Sequence, residues 1–230
     1  MNGFTSWLRQ LDFSFFYEYG IVVLASMLCI MFHEVSHGLV AYRLGDPTAK
    51  NAGRLTFNPL RHIDLWGLLM MAVFKFGWAK AVPVDMRNFK HPVRDMAITA
   101  AAGPISNIIL AFAALVIRSG LLYFYYRSQG AVLDFLIAFC EYTAILSVGL
   151  AVFNVIPIPP LDGSKVLNAL LPREIYYKIL RYEKYGFLIM MVVLYLGILD
   201  TPLTLCRGAI INLLAKISVF PYYIFQFIFG

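Results

Sequence analysis

Five consecutive residues, His33-Glu34-Val35-Ser36-His37, carry the strongest chemical signal in the chain. On a helix, residues four apart project from one face, so the two imidazoles can grip one metal ion. Glu34, adjacent to the first, can then reach a water on that ion. The motif lies inside the first long apolar stretch, where three ionisable residues in five are costly unless a function or a partner offsets them. A buried polar network without metal explains them poorly.

A catalytic zinc keeps three protein ligands and leaves its fourth position to water, so a third ligand must come from elsewhere. The candidate is Asp162, in the run Asn154-Val-Ile-Pro157-Ile-Pro159-Pro160-Leu161-Asp162-Gly163 at the end of another apolar stretch. Its prolines break the helix, and unwound backbone is tolerated at membrane depth only where it is buried in protein or lines a watery cavity. Gly163 lets the backbone approach closely. The bland alternative makes Asp162 a turn or cap residue opening a short helix over 164–171. Asp46, Asp64, Asp85 and Asp95 lie in a loop where turn and cap roles suffice, Asp64 being the next candidate ligand.

Membrane helices must position these groups. Of 230 residues, 60% are hydrophobic and 14% charged, where ordinary soluble domains carry about a quarter charged. Apolar stretches able to cross a hydrocarbon core of about 30 Å recur at 19–42, 96–117 and 132–156, and less cleanly at 186–199 and 208–228. The fold class is an α-helical polytopic membrane protein with five or six membrane helices. A single membrane domain is expected over 1–230, with a catalytic core over 19–170 and C-terminal helices over 174–230. No cleavable signal peptide is expected. Residues 65–76 are apolar but too short for a routine crossing and suggest a re-entrant or interfacial segment. The flanking segments 53–57 and 77–84 look extended, predicting a small membrane-associated β-element between the first and second full spans.

Lys and Arg concentrate in two intervals: 43–95, from Arg43 to Arg94, and 158–185, from Lys165 to Lys184. These are the inside loops, because short cytoplasmic segments collect positive charge. The net charge of +6 therefore reads as topology rather than as a nucleic-acid surface. Both half-sites fall near the cytoplasmic face of a multi-pass cell-membrane protein. Cys29, Cys140 and Cys206 have neither metal nor disulfide spacing, and Cys29 reads as a small packing residue. His62 and His91 read as interfacial histidines, and Glu141, midway along a span, as part of a polar cluster with Tyr142 or Thr143.

HEVSH and NVIPIPPLDG, in order and in separate spans, resemble the HExxH and NxxPxxxLDG elements of the site-2 protease family, intramembrane zinc metalloproteases of the M50 class. NPLRHID (58–64), FGWAKAVPV (76–84) and AAGPISN (101–107) resemble further segments of its compact members, those without PDZ or CBS domains. Ala81 stands where such proteins often have Pro. The resemblance covers roughly residues 30–170. It implies one Zn2+ per chain on His33, His37 and Asp162, with Glu34 as general base and Asn154 and Asn107 as polar residues near the active site. Asn154 could contact an unwound substrate backbone, and Asn107 suits a structural role. The implied substrates are single-pass transmembrane proteins in the lipid bilayer, with regulatory membrane proteins as a candidate class of partner. Two rival readings are a metal-binding transporter or channel, which needs no glutamate between its histidines, and a non-proteolytic membrane chaperone, against which the four intact chemical residues argue.

Cysteine labelling in intact cells checks this topology. Cysteines placed at Asn51 and Arg173 should react from the cytoplasmic side and one at Ser128 from the opposite side; reaction of positions 51 and 128 from the same side would overturn the orientation.

Overall fold

The computed structural model describes residues 14–62, 64, 80–172, 175 and 183–229. The longest apolar stretches form the longest helices: α1 (Ser14–Arg43), α2 (Pro92–Arg127) and α3 (Ala131–Asn154). Shorter helices follow: α4 (Asp162–Leu170), α5 (Gly186–Tyr195), α6 (Asp200–Ile217) and α7 (Phe220–Phe229). Four stretches among the described residues are long and apolar enough to cross a membrane: Phe16–Arg43, Pro92–Arg127, Ala131–Asn154 and Asp200–Phe229. Their outer faces present Leu24, Ile109, Ile117 and Leu205, a surface suited to lipid rather than water. The protein is a multi-pass membrane protein.

Among the described residues the candidate spans number four, against the five or six membrane helices expected for the whole chain. The stretch 186–199 folds as the ten-residue α5, about 15 Å long at 1.5 Å per residue and so half of what a crossing needs. A turn at Gly197, with φ of 65°, separates it from α6.

α1, α2 and α3 pack on one another. Their contact faces carry Ala25, Ala111, Ala114, Ala144 and Ala151, all buried, and such small residues let helix backbones approach closely in lipid. Cys29 packs between α1 and α3, its Sγ 3.5 Å from the Thr143 carbonyl and 3.2 Å from Ser147 Oγ. Glu141 finds its partner on another helix instead of in Tyr142 or Thr143: Arg118 on α2, at 3.2 Å. α4 and α7 lie against α2, and α6 against α3.

No strand forms among the described residues, which corrects the expected β-element. Residues 53–57 turn back on the single helical turn Thr48–Asn51, with Gly53 N–H donating to the Lys50 carbonyl and Arg54 N–H to that of Ala49. Residues 80–84 form no regular element. Lys80 N–H donates to the His62 carbonyl at 2.9 Å and Val82 N–H to the Glu34 carboxylate at 2.8 Å. The segments 65–76 and 77–79 lie outside the described residues. His62, expected as an ordinary interfacial histidine, is buried and holds the Thr56 carbonyl at 2.8 Å through Nε2.

Asp46, just past the end of α1, ties this loop to the helix that carries the HExxH motif. It is fully buried and accepts from Thr48 N–H (3.0 Å), the Thr48 hydroxyl, Asp85 N–H (2.8 Å) and Asn88 Nδ2 (2.7 Å). Burial works to raise its pKa, and these donors outweigh burial and hold it below the usual carboxylate range. Because the folded-state value is the lower one, the stabilisation is present above the unfolded-state carboxylate range and is lost as pH falls through the folded value. Asp46→Ala leaves four donors without their acceptor and should lower stability by about 2 kcal/mol, read as a lower thermal midpoint in detergent. The difference from the parent chain should shrink in acid, and a pH-independent difference would rule out the carboxylate as its source.

Candidate metal centre

His33 and His37 lie one turn apart on α1 with ring centroids 4.5 Å apart and planes at 88°. Two imidazoles fit there because α2 has no side chain opposite them. A Cβ on Gly103 would stand 2.6 Å from His33 Cε1 and collide with His37 as well. Asp162 arrives from the other end of the site. α3 stops at Asn154, the proline-containing segment turns, and α4 starts at Asp162, with Gly163 packed so tightly on the Val155 and Ile156 carbonyls that a Cβ would stand 2.7 Å from the latter oxygen. Asp162 thus sits in the first turn of a helix, as its cap-like alternative has it, and also against the histidines.

Three potential ligand atoms converge: His33 Nε2 and Asp162 Oδ2 are 3.0 Å apart, His37 Nε2 and the same oxygen 3.1 Å, and the two Nε2 atoms 3.0 Å. All three residues are buried. Among the described residues, this is the one group of three or more His, Cys, Asp or Glu that could hold a metal ion.

The hydrogen bonds behind the rings fit such an ion. The Thr99 carbonyl, 2.7 Å from His37 Nδ1, can only accept, so Nδ1 carries the proton and Nε2 presents its lone pair toward Asp162. On the other ring, Asn107 Nδ2 lies 3.3 Å from His33 Nδ1, while Asn107 Oδ1 is buried without a partner. Turning the amide by 180° gives Oδ1 the His33 Nδ1–H to accept and frees Nε2 as a second lone-pair donor. Two neutral imidazoles and one carboxylate form a donor set suited to zinc, with room for water in a fourth position.

Beside the cluster, Glu34 turns one carboxylate oxygen, Oε2, to the Val82 N–H. Lys165 Nζ lies 3.8 Å from Asp162 Oδ1, the oxygen facing away from the imidazoles. A cavity of about 330 Å³ is lined by these residues together with Asn154. Asn154 is half-buried, its Nδ2 donating to the Leu150 carbonyl at 3.0 Å. Asn107 is fully buried and faces His33. The cavity shares Ala100, Asn154 and Asp162 with a second of about 340 Å³. That one shares Pro104, Ile105, Val155 and Pro157 with an apolar groove of about 490 Å³ between α2, α3 and α6.

A family model described as "Peptidase family M50" matches residues 118–197. The Bacillus subtilis (strain 168) protein named "Putative zinc metalloprotease YwhC" is 36% identical over 171 residues, which cover 74% of this chain and 78% of that protein. The chain belongs to peptidase family M50. "Putative zinc metalloprotease Rip2" of Mycolicibacterium smegmatis is 31% identical over 76% of this chain and 66% of its own length, and its Mycobacterium tuberculosis namesake is 27% identical over 77% and 67%. No solved structure matches. The chain is thus a zinc metallopeptidase of the membrane.

The M50 motifs pointed to His33, Glu34, His37 and Asp162, which the fold brings together, and to Asn107 and Asn154, which lie beside them. They did not point to the Thr99 carbonyl, the Val82 N–H or Lys165. The first two are backbone groups with no residue-type signal; Lys165 was legible only as the residue three beyond Asp162 on a helix. Gly103→Ala should weaken zinc binding on the order of 10- to 100-fold, the range seen when support behind a ligand is lost. Gly20→Ala, where a Cβ meets nothing within 4 Å, should leave it unchanged. Equal zinc affinities for the two variants by chelator competition would show that α2 yields at this point.

Proposed function

We propose that this membrane zinc metalloprotease cuts peptide bonds of membrane-embedded or membrane-proximal substrates with His33, His37 and Asp162 as zinc ligands and Glu34 as general base. The observation that carries the reading is the convergence of the three ligand atoms within 3.1 Å next to a carboxylate held at one oxygen. Zinc at such a site makes a water nucleophilic near neutral pH and polarises the scissile carbonyl.

The chain's own groups supply the rest. Thr99 and Asn107 fix the imidazole orientations. The Val82 N–H fixes Glu34 through Oε2, leaving Oε1 to accept the water's proton and pass it to the departing amine nitrogen. Burial keeps bulk water from the ligand atoms, so each electrostatic contact acts in a low dielectric.

The substrate class follows from access. Between the metal centre and the apolar groove flanked by α2, α3 and α6 lies a cavity that shares lining residues with both, a direction of approach suited to an apolar transmembrane segment. A membrane helix has its amides already hydrogen-bonded and must unwind before one can be cut. Ala81, Val82 and Val84 line the site and give the unwound strand an apolar wall. Single-pass proteins fit these demands, and regulatory membrane proteins would supply selectivity. The Lys- and Arg-rich loops support a site near the cytoplasmic face of the cell membrane. In this reading residues 19–170 carry the chemistry and residues 174–230 belong to the same membrane domain.

Glu34→Gln should retain zinc and lose cleavage of a single-pass substrate by about 10²-fold or more, whereas Asp162→Ala should lose both. Full zinc occupancy with near-normal cleavage in Asp162→Ala would remove it from the ligand set.

A further inference from the structure

We propose that Lys165 is a further catalytic residue, whose ammonium takes up the negative charge that develops on the scissile carbonyl oxygen. The inference rests on the site assignment above. Lys165 lines the same cavity as His33, Glu34 and Asp162, and its Nζ lies 3.8 Å from Asp162 Oδ1. Asp162 therefore presents one oxygen to the imidazoles and the other to a cation. The lysine side chain is 34% exposed, so its head retains freedom to swing on a flexible stem.

Apart from its i,i+3 pairing with Asp162 and the positive charge common to this interval, local structure gives no reason for a lysine here. It sits at the fourth residue of α4, where the positive end of the helix dipole disfavours a cation. Of the other donors lining the cavity, Asn154 keeps one amide hydrogen to offer but carries no charge, and those that follow are engaged or enclosed. The Val82 N–H is held by Glu34, one Asn154 amide hydrogen by the Leu150 carbonyl, and the Thr99 hydroxyl is buried. With the histidines assigned to zinc, Lys165 is the remaining cation among the residues that line the cavity.

In the step it serves, the water oxygen bonds to the carbonyl carbon while the water's proton goes to Glu34. The carbon–nitrogen bond then breaks and the proton passes from Glu34 to the amine nitrogen. Lys165 stays protonated throughout, because its part is electrostatic: a fixed positive charge beside the oxygen that is most negative between the two bond changes.

The test uses the zinc-loaded full chain in detergent with a single-pass substrate, and measures kcat and KM separately. It adds zinc stoichiometry and the Kd of a peptide phosphonate, a stable mimic of the charged tetrahedral arrangement. Lys165→Met should lower kcat on the order of 10²-fold, weaken the phosphonate by a similar factor, and leave KM and zinc stoichiometry unchanged. Lys165→Arg, which keeps the charge, should restore most of both. If the methionine variant does not fold, Lys165→Gln should show the same split. Parent-level kcat in the uncharged variants overturns the proposal. So does zinc loss matching the loss of kcat, which would make Lys165 a positioning residue for Asp162. Glu34→Gln in the same assay separates the two levels: normal cleavage there sinks the site assignment itself, whereas an inactive Glu34→Gln beside a fully active Lys165→Met sinks only the role of Lys165.

Discussion

How closely two membrane helices can approach at one glycine governs everything around the metal centre. α1 carries its imidazoles four residues apart, and α2 answers with Thr99, Gly103 and Asn107, also four apart and so on one face. The middle position is a gap into which both rings fit, and the outer positions are the acceptors behind them. A side chain at the middle position would drive the helices apart and detach both acceptors at once. Ring placement and tautomer therefore rest on one close approach rather than on two separate contacts.

A second dependence runs from the loop into the helix. Asp46 binds the chain at 85 and 88 to the end of α1, while Val82, three residues upstream, reaches Glu34 with its N–H. The loop is thereby held in register with the helix that carries the motif. The donor that a sheet edge would have used is spent on the Glu34 carboxylate, so the described part of the segment read as extended forms no ladder there.

The sequence was most legible where a residue type has few other reasons to be present. Two histidines and a glutamate inside a span, and an aspartate after clustered prolines, are costly unless used, and these four residues come together. The small stretch around Gly103 announced close packing but not its partner, because the spacing of Thr99, Gly103 and Asn107 says which face they share and not which helix they meet. The loop was read least well. Residues 53–57 looked extended and suggested a strand, yet residue patterns of that length carry no account of where backbone donors go once buried carboxylates and carbonyls compete for them. The short apolar stretch 186–199 was similarly ambiguous, since composition favours lipid there but the turn at Gly197 limits the helix to ten residues.

The Arg118–Glu141 pair bears on how the protein enters its bilayer. Each charge lies well inside its own helix, and alone in hydrocarbon each would cost on the order of 3 kcal/mol. α2 and α3 are consecutive and joined by the short connection 128–130, so the two charges can neutralise each other as soon as the second helix is made. A lone α2 would be a poor candidate for release into lipid. The helical hairpin, already internally compensated, is the unit that membrane insertion favours.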